Sequence, residues 1–317
     1  MADHRSGSTS IHAKSVRLLL ILLFFILVGT VVGSFLGMVF GILFSGITDP
    51  AEIFAALENQ GDNTTLMLVV QGFTSIGMFV LPPFAMGFFE KDPLKYFDQR
   101  GRVTSFIFVL VFLITLSFGP ITEWLGILNQ QLSLPASLSG MEQWMKAMEA
   151  ELEELTLRLL SNTSPAGFFA NLLVIAVLAA VGEELLFRGC LQRILQDWFG
   201  NPHLAIWVVA IVFSAIHLQF YGFLPRMALG ALFGYLFFWS KNLWVPIFAH
   251  FVNNATVLVS AYIYQKQGNS LSNMEMGMDL PNYAYIVSLV ICVLALVVFW
   301  KKVSRGQVIP YRADPID

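Results

Sequence analysis

Cysteine and charge are scarce in this chain of 317 residues, and several common functional motifs are missing from it. Its 2 cysteines, Cys190 and Cys292, lie in apolar runs, which excludes a disulfide framework and a CxxC metal site. Only 12% of its residues are charged, against about 25% in soluble domains. A net charge of −3 leaves no basic surface of the kind that nucleic-acid binding requires. The chain also lacks a Gly-rich phosphate loop, an HExxH zinc motif and a GxSxG elbow.

Apolar residues are abundant instead, at 56% of the chain, and the mean hydropathy is +0.70. A membrane-spanning helix needs about 20 apolar residues. The sequence therefore predicts an all-α, polytopic membrane bundle of about eight transmembrane helices. The predicted spans are 18–45, 65–89, 103–124, 166–189, 204–220, 224–240, 244–264 and 283–300.

The distribution of positive charge predicts the orientation of this bundle. If the spans alternate in direction, all but four of the 18 lysines and arginines fall on the side of the two termini. The four exceptions are Lys146, Arg158, Arg226 and Lys266. Because lysine and arginine are enriched in cytoplasmic loops, we expect both termini to be cytoplasmic. With no targeting signal evident, this asymmetry suits a bacterial inner (plasma) membrane.

Two further patterns concern packing. Four glycines recur at steps of four in the first span and allow another backbone to approach closely: Gly29, Gly33, Gly37 and Gly41. Packing within the bundle is the expected use, and dimerisation through this ridge is the alternative. Apolar residues at steps of three and four predict an amphipathic outer helix at about 140–160. We expect it to lie against the bundle or the interface, and a mobile lid over a cavity is the second interpretation.

The most unusual stretch of the sequence follows the apolar run 168–181. It contains Glu183, Glu184 and Arg188, each of which costs roughly 2.5–3.5 kcal/mol to insert into a bilayer. Glu184 and Arg188 are four residues apart and can pair on one helix face. Neighbouring residues differ in direction by about 100°, so Glu183 remains as the unpaired carboxylate.

Two histidines and an asparagine fall in later spans. Glu183 precedes Gly200 by 17 residues and His217 follows it by 17, so antiparallel helices would bring these two side chains to a similar depth. His250 and Asn254 are four residues apart and share a helix face. Straight helices would separate His250 from His217 by roughly 10 Å in depth, and the sequence alone does not resolve this difference.

These groups predict hydrolysis of an amide held in the membrane. A carboxylate and an imidazole can deprotonate and orient a water molecule, and a histidine with an asparagine can donate hydrogen bonds to an oxyanion. Alternatively, Glu183, His217 and His250 would be the ligands of one zinc ion, with water in the fourth position. The cofactor is therefore either absent or a single zinc ion, and the residues do not choose between these mechanisms.

Three motifs in order carry a family resemblance: Glu183-Glu184-x-x-x-Arg188, Phe213-x-x-x-His217 and His250-x-x-x-Asn254. They resemble the motifs of the CPBP family of intramembrane proteases, which includes type II CAAX prenyl proteases and bacteriocin-processing, Abi-like proteins. The resemblance covers about residues 165–260. It implies that Glu183 and His217 activate the water, and that His250 and Asn254 form the oxyanion site. It also implies that Glu184 and Arg188 are the supporting pair, and Phe213 of the second motif is a further supporting residue.

On this basis we divide the chain into 1–164, with three spans and the outer helix, a catalytic core at 165–264, and 265–317, with the last span and a polar tail. The expected partners are the lipid bilayer and a membrane-anchored peptide or protein substrate. Two other functions remain open at this point. One is a transporter or proton-coupled carrier that uses the buried Glu/His/Arg cluster, and the other is a non-catalytic immunity or scaffold protein.

Overall fold

A computed structural model describes residues 3–47, 49, 63–92, 94–97, 99–271 and 280–306. Within these ranges the regular structure is helical, and no strand is present. The nine longer helices of this part of the chain are α1 Asp3–Ser45, α2 Thr64–Phe89, α3 Ser105–Gln130, α4 Ser139–Leu160, α5 Pro165–Phe199, α6 Pro202–Ala215, α7 Phe223–Ser240, α8 Trp244–Lys266 and α9 Asn282–Gly306.

Seven of these helices are long and apolar enough to cross a membrane, and the chain is an integral, multi-pass membrane protein. This result confirms the predicted polytopic helical bundle. The predicted span at 204–220 is the exception, because α6 has only 14 residues. At 1.5 Å per residue it is about 21 Å long, which is shorter than a hydrocarbon core of about 30 Å. The cytoplasmic orientation of the termini stays a prediction, and the tail after Gly306 lies outside the described residues.

The glycine ridge of α1 packs against α2 of the same chain. A Cβ atom added to Gly29 would overlap the carbonyl oxygen of Gly77, and one added to Gly33 would lie 2.5 Å from that of Phe73. Gly37 and Gly41 meet the same helix further along. The expectation of packing within the bundle is therefore confirmed. Dimerisation through this ridge is not supported, because α2 already covers it.

Helix α5 carries the Glu-Glu motif and is not a regular α-helix. Two π-helical turns, Leu172–Leu178 and Leu185–Leu191, flank a short α-helical segment at Ala179–Glu184. Turns of this kind occur mostly as single insertions and often at functional sites. Between them, Gly182 packs closely on Phe79 of α2, where an added Cβ would lie 2.9 Å from the Phe79 Cβ. The acidic pair is thus held at a point where α5 and α2 are in close contact.

The predicted amphipathic helix is present as α4, and none of its side chains is fully buried. It contacts the turn between α6 and α7 at two places. The rings of Trp144 and Phe220 have centroids 5.5 Å apart, and the Tyr221 N–H donates to Glu149 Oε2 at 3.0 Å. Helix α4 therefore covers the turn that follows His217. Its movement as a lid stays a prediction.

Candidate active site

Glu184 and Arg188 form an ion pair inside the bundle, as their spacing predicts. Both side chains are 0% exposed, and Arg188 Nη1 donates to Glu184 Oε1 at 2.6 Å. The other terminal nitrogen, Nη2, donates to the backbone oxygen of Gly230 on α7 at 2.8 Å. The pair therefore joins α5 to α7. A buried pair of this kind is tolerated because each charge has a partner of opposite sign and further hydrogen bonds.

Aromatic rings enclose the guanidinium of Arg188. Its central carbon lies 4.9 Å from the ring centroid of Phe213, 5.5 Å from that of Phe233 and 5.9 Å from that of Phe187. A cation over an aromatic face is attracted by the electron density of the ring, and the attraction is strongest where water is excluded. Phe213, which we predicted as a supporting residue, thus contacts the charged pair directly.

His250 binds the same carboxylate oxygen as Arg188. Its Nδ1 lies 2.9 Å from Glu184 Oε1, and its ring stacks on Phe233 with centroids 5.1 Å apart. A carboxylate only accepts hydrogen bonds, so Nδ1 carries the proton and donates it. The Nε2 atom is then left to face Glu183, whose Oε2 lies 3.9 Å away.

Glu183 is the carboxylate without a fixed partner. Its side chain is buried, with the residue 8% exposed, and its Oε2 has no hydrogen bond to any described residue. The neighbouring Glu184 instead has Arg188 and His250 on one oxygen. The prediction that Glu183 is the unpaired carboxylate therefore agrees with the geometry.

His217 lies directly after α6, in the turn covered by α4. Its Nδ1 is 2.7 Å from the backbone oxygen of Phe213, so the imidazole donates through Nδ1 and its Nε2 is an acceptor when neutral. The centroid of the Phe213 ring is 5.2 Å from that of His217 and 5.9 Å from that of His250. Both histidines therefore contact one phenylalanine, despite their different positions along their helices. A direct contact between His217 and Glu183 stays a prediction.

Asn254 lies apart from this hydrogen-bonded group. Its Nδ2 donates to the backbone oxygen of Ile175 at 3.0 Å, and its Oδ1 accepts from Asn253 Nδ2 at 3.1 Å. Ile175 belongs to the first π-helical turn of α5. Asn254 therefore joins α8 to α5 in this structure, and its predicted role at an oxyanion stays a prediction.

The predicted zinc ligands do not converge. Within the described ranges, no group of three histidine, cysteine, aspartate or glutamate side chains could hold a metal ion. In particular, Glu183, His217 and His250 do not form such a group as they are arranged. We therefore derive no step of the reaction through a metal.

Arg226 was not predicted as a site residue. It lies in the first turn of α7, where its guanidinium donates to the backbone and side-chain oxygens of Gln219 and packs on Gly222. It is close enough to Glu183 and to Glu149 of α4 to interact electrostatically with both. The sequence held one signal for it, since the predicted topology makes Arg226 one of only four lysines and arginines on its side of the membrane.

Comparison with known proteins gives a match in the same region. Residues 165–256 match the family model described as type II CAAX prenyl endopeptidase Rce1-like. "Uncharacterized protein YpbD" of Bacillus subtilis is 32% identical over 89 residues, which are 27% of this chain and 42% of that protein. "Putative membrane peptidase YdiL" of the same organism is 28% identical over 88 residues, which are 28% of this chain and 36% of that protein.

The chain thus matches less than half the length of these two relatives, and no solved structure matches it. The match over residues 165–256 confirms the resemblance that the three motifs predict. All three motifs lie within this range. The bacterial source of both relatives is consistent with the predicted plasma membrane.

Proposed function

We propose that this protein is an intramembrane endopeptidase that hydrolyses a peptide bond in a membrane-anchored protein or peptide. The observation that carries the proposal is the buried Oε2 of Glu183, which has no hydrogen bond within the described structure and faces His250 Nε2 at 3.9 Å. A carboxylate oxygen of this kind is available to accept a proton from water. The Rce1-like match supports peptide hydrolysis, and neither the transporter nor the scaffold alternative gains support from it.

In the proposed reaction Glu183 removes a proton from water as the water oxygen attacks the carbonyl carbon of the scissile amide. The carbonyl oxygen becomes an oxyanion, and the carbon–nitrogen bond then breaks. The proton held by Glu183 passes to the leaving nitrogen, so that an amine and a carboxylic acid are released. His217 orients the water through Nε2, because its Nδ1–H is already donated to Phe213.

We assign His250 to the stabilisation of the oxyanion, with Asn254 as its partner. Because the Nδ1–H of His250 is donated to Glu184, its Nε2 can donate only when the ring is protonated. Asn254 would have to exchange its hydrogen bond with Ile175 for one with substrate. Apo hydrogen bonds at a catalytic centre often rearrange in this way when substrate binds.

The division of the chain into 1–164, 165–264 and 265–317 is part of this proposal. Residues 165–264 supply every proposed catalytic side chain. Arg226, in the same segment, extends the proposal because its charge interacts with Glu183 and with Glu149 of the covering helix α4. We expect it to help to position the turn that carries His217. A substrate would reach the site near this turn.

The test is cleavage of an anchored fluorogenic peptide library by purified protein in detergent. Glu183→Gln keeps the size of the side chain and removes its basicity, and we expect at least a ~100-fold loss of cleavage rate on the scale of general-base catalysis. Glu123→Gln is the matched control, because Glu123 lies on α3 and accepts a hydrogen bond from Tyr285. A Glu183→Gln variant as active as wild type would refute the proposed role of Glu183.

A further inference from the structure

One face of α5 carries a row of polar side chains that the proposed reaction does not use. Gln192 and Gln196 follow Glu184 and Arg188 at the same spacing of four residues, so all four side chains point in similar directions along the helix. The row begins at the candidate active site. It ends three residues before the last residue of α5, where Gln196 is only partly buried.

Helix α7 is shaped to meet this row. Arg188 donates to the backbone oxygen of Gly230, and Gln192 Nε2 donates to that of Gly234 at 3.2 Å. The two glycines are also four residues apart, so the acceptors match the spacing of the donors. An added Cβ at Gly234 would lie 3.0 Å from Gln192 Oε1, so glycine is what allows this side chain to reach the α7 backbone.

Each residue of the row has one buried polar atom whose hydrogen bond is missing. Across the described residues, five buried side-chain atoms have no partner, and four of them belong to this row: Glu184 Oε2, Arg188 Nε, Gln192 Oε1 and Gln196 Nε2. The fifth is Oε2 of Glu183 itself. Buried polar atoms in proteins are almost always satisfied, and ordered water is the usual partner where no protein group is near.

We propose that this face of α5 binds a row of water molecules that runs from Gln196 to Glu184. The acceptors and donors alternate in a way that water can bridge, since water both donates and accepts. The row would connect the aqueous phase at the end of α5 with a hydrolytic site inside the bilayer. The supply of water to a hydrolytic site rests on the proposed function. The presence of water along α5 does not, because it follows from the buried polar atoms without partners.

Radiolytic labelling tests the proposal, because X-rays generate hydroxyl radicals from bound water and these radicals label the nearest side chains. Ile206 lies beside Gln192 and Ile114 lies in an apolar cluster, and both isoleucines are 0% exposed. Phe233 and Phe299 both belong to the apolar cluster of Ile114, but only Phe233 also lies over Arg188, so they give a second buried pair. We expect labelling of Ile206 and Phe233 and none of Ile114 and Phe299.

Variants assign the labelling to the row. Gln192→Leu should abolish labelling of Ile206, and Gln196→Leu should reduce it if Gln192→Leu does not fold. Gln265→Leu is the control, because Gln265 donates to backbone oxygens of Leu160 and Ala261 away from α5. It should leave the labelling as in wild type.

Two results would overturn the proposal: Ile206 labelled no faster than Ile114, or labelling of Ile206 that persists in both α5 variants. The outcome is independent of peptide cleavage. A protein that labels as expected but cleaves no peptide keeps the water row and loses the proposed function. A protein that cleaves peptides while Ile206 stays unlabelled keeps the function and loses the row.

Discussion

The buried pair of Glu184 and Arg188 makes a quantitative prediction about stability. Arg188→Met removes the cation and keeps much of the side-chain volume, so it leaves the carboxylate of Glu184 buried with only His250 as a partner. Removing one member of a buried ion pair costs about 3–5 kcal/mol. We expect a loss of that size in the free energy of unfolding. Glu184→Gln should cost a similar amount, because it leaves the guanidinium uncompensated.

The double variant Glu184→Gln/Arg188→Met should be more stable than the sum of the single losses. It removes both charges of the pair, and the amide that replaces the Glu184 carboxylate would keep an oxygen that can accept from His250. Replacing both members of a buried pair is often close to neutral. The two substitutions should therefore couple by about 2 kcal/mol or more, within the range seen for residues in one network.

Unfolding by SDS in mixed micelles, followed by the fluorescence of the 7 tryptophans, measures these losses. Glu154 and Arg158 on α4 are the matched control, with the same spacing and the same 2.6 Å distance but with side chains 64% and 40% exposed. Arg158→Met should cost no more than about 1 kcal/mol. Equal losses for Arg188→Met and Arg158→Met, or additive losses in the double variant, would contradict the argument from burial.

Three further outcomes are expected. Gly29→Ala should lower the Tm, because the added Cβ would meet the Gly77 carbonyl. Gly126→Ala is the control and should not lower it, because the added Cβ meets nothing within 4 Å. Equal Tm values for the two variants would refute the close packing of α1 on α2. Peptide cleavage should continue in the presence of a strong zinc chelator. A loss of cleavage that added zinc restores would refute the conclusion that Glu183, His217 and His250 do not hold zinc. Burial first, and then the hydrogen bond to Glu90, raises the pKa of Tyr96, in the connection after α2, above its ordinary 10.0. The stability due to this shift is therefore complete below about pH 10 and is lost as the pH rises above it. A Tyr96→Phe variant should lose less stability than wild type between about pH 9 and pH 11. An equally steep fall in the two proteins would contradict this expectation.

The membrane spans and the pair of Glu184 and Arg188 could be predicted from the sequence for a simple reason. Long apolar runs have few alternatives to a membrane helix, and two residues four apart on a helix meet regardless of the rest of the fold. This is why the bundle and the pair of Glu184 and Arg188 were predicted. The short helix α6 was not, because its apolar run continues beyond Ala215. There the chain turns instead, and Leu218 adopts a positive φ of 54°.

Contacts between distant parts of the chain could not be predicted from the sequence in the same way. The hydrogen bond from the Tyr221 N–H to Glu149 joins the turn after α6 to α4, and neither residue belongs to a motif. The hydrogen bond from Asn254 to the Ile175 backbone depends on the π-helical turn in α5, and periodicity alone does not predict such a turn. In both cases the deciding information is backbone geometry, to which many residues contribute weakly.

The adjacent residues Glu183 and Glu184 show how two side chains of the same type take different roles because of their positions on the helix. Glu184 accepts from Arg188 and His250 on a single oxygen, so its charge is compensated and it fixes the orientation of the imidazole. Glu183 faces another direction, and its Oε2 has no such bond within the described structure. A carboxylate that is to exchange a proton with water must keep an oxygen free, whereas one that orients a histidine must hold a fixed hydrogen bond to it. One helical step of about 100° is enough to place the two side chains in these two environments.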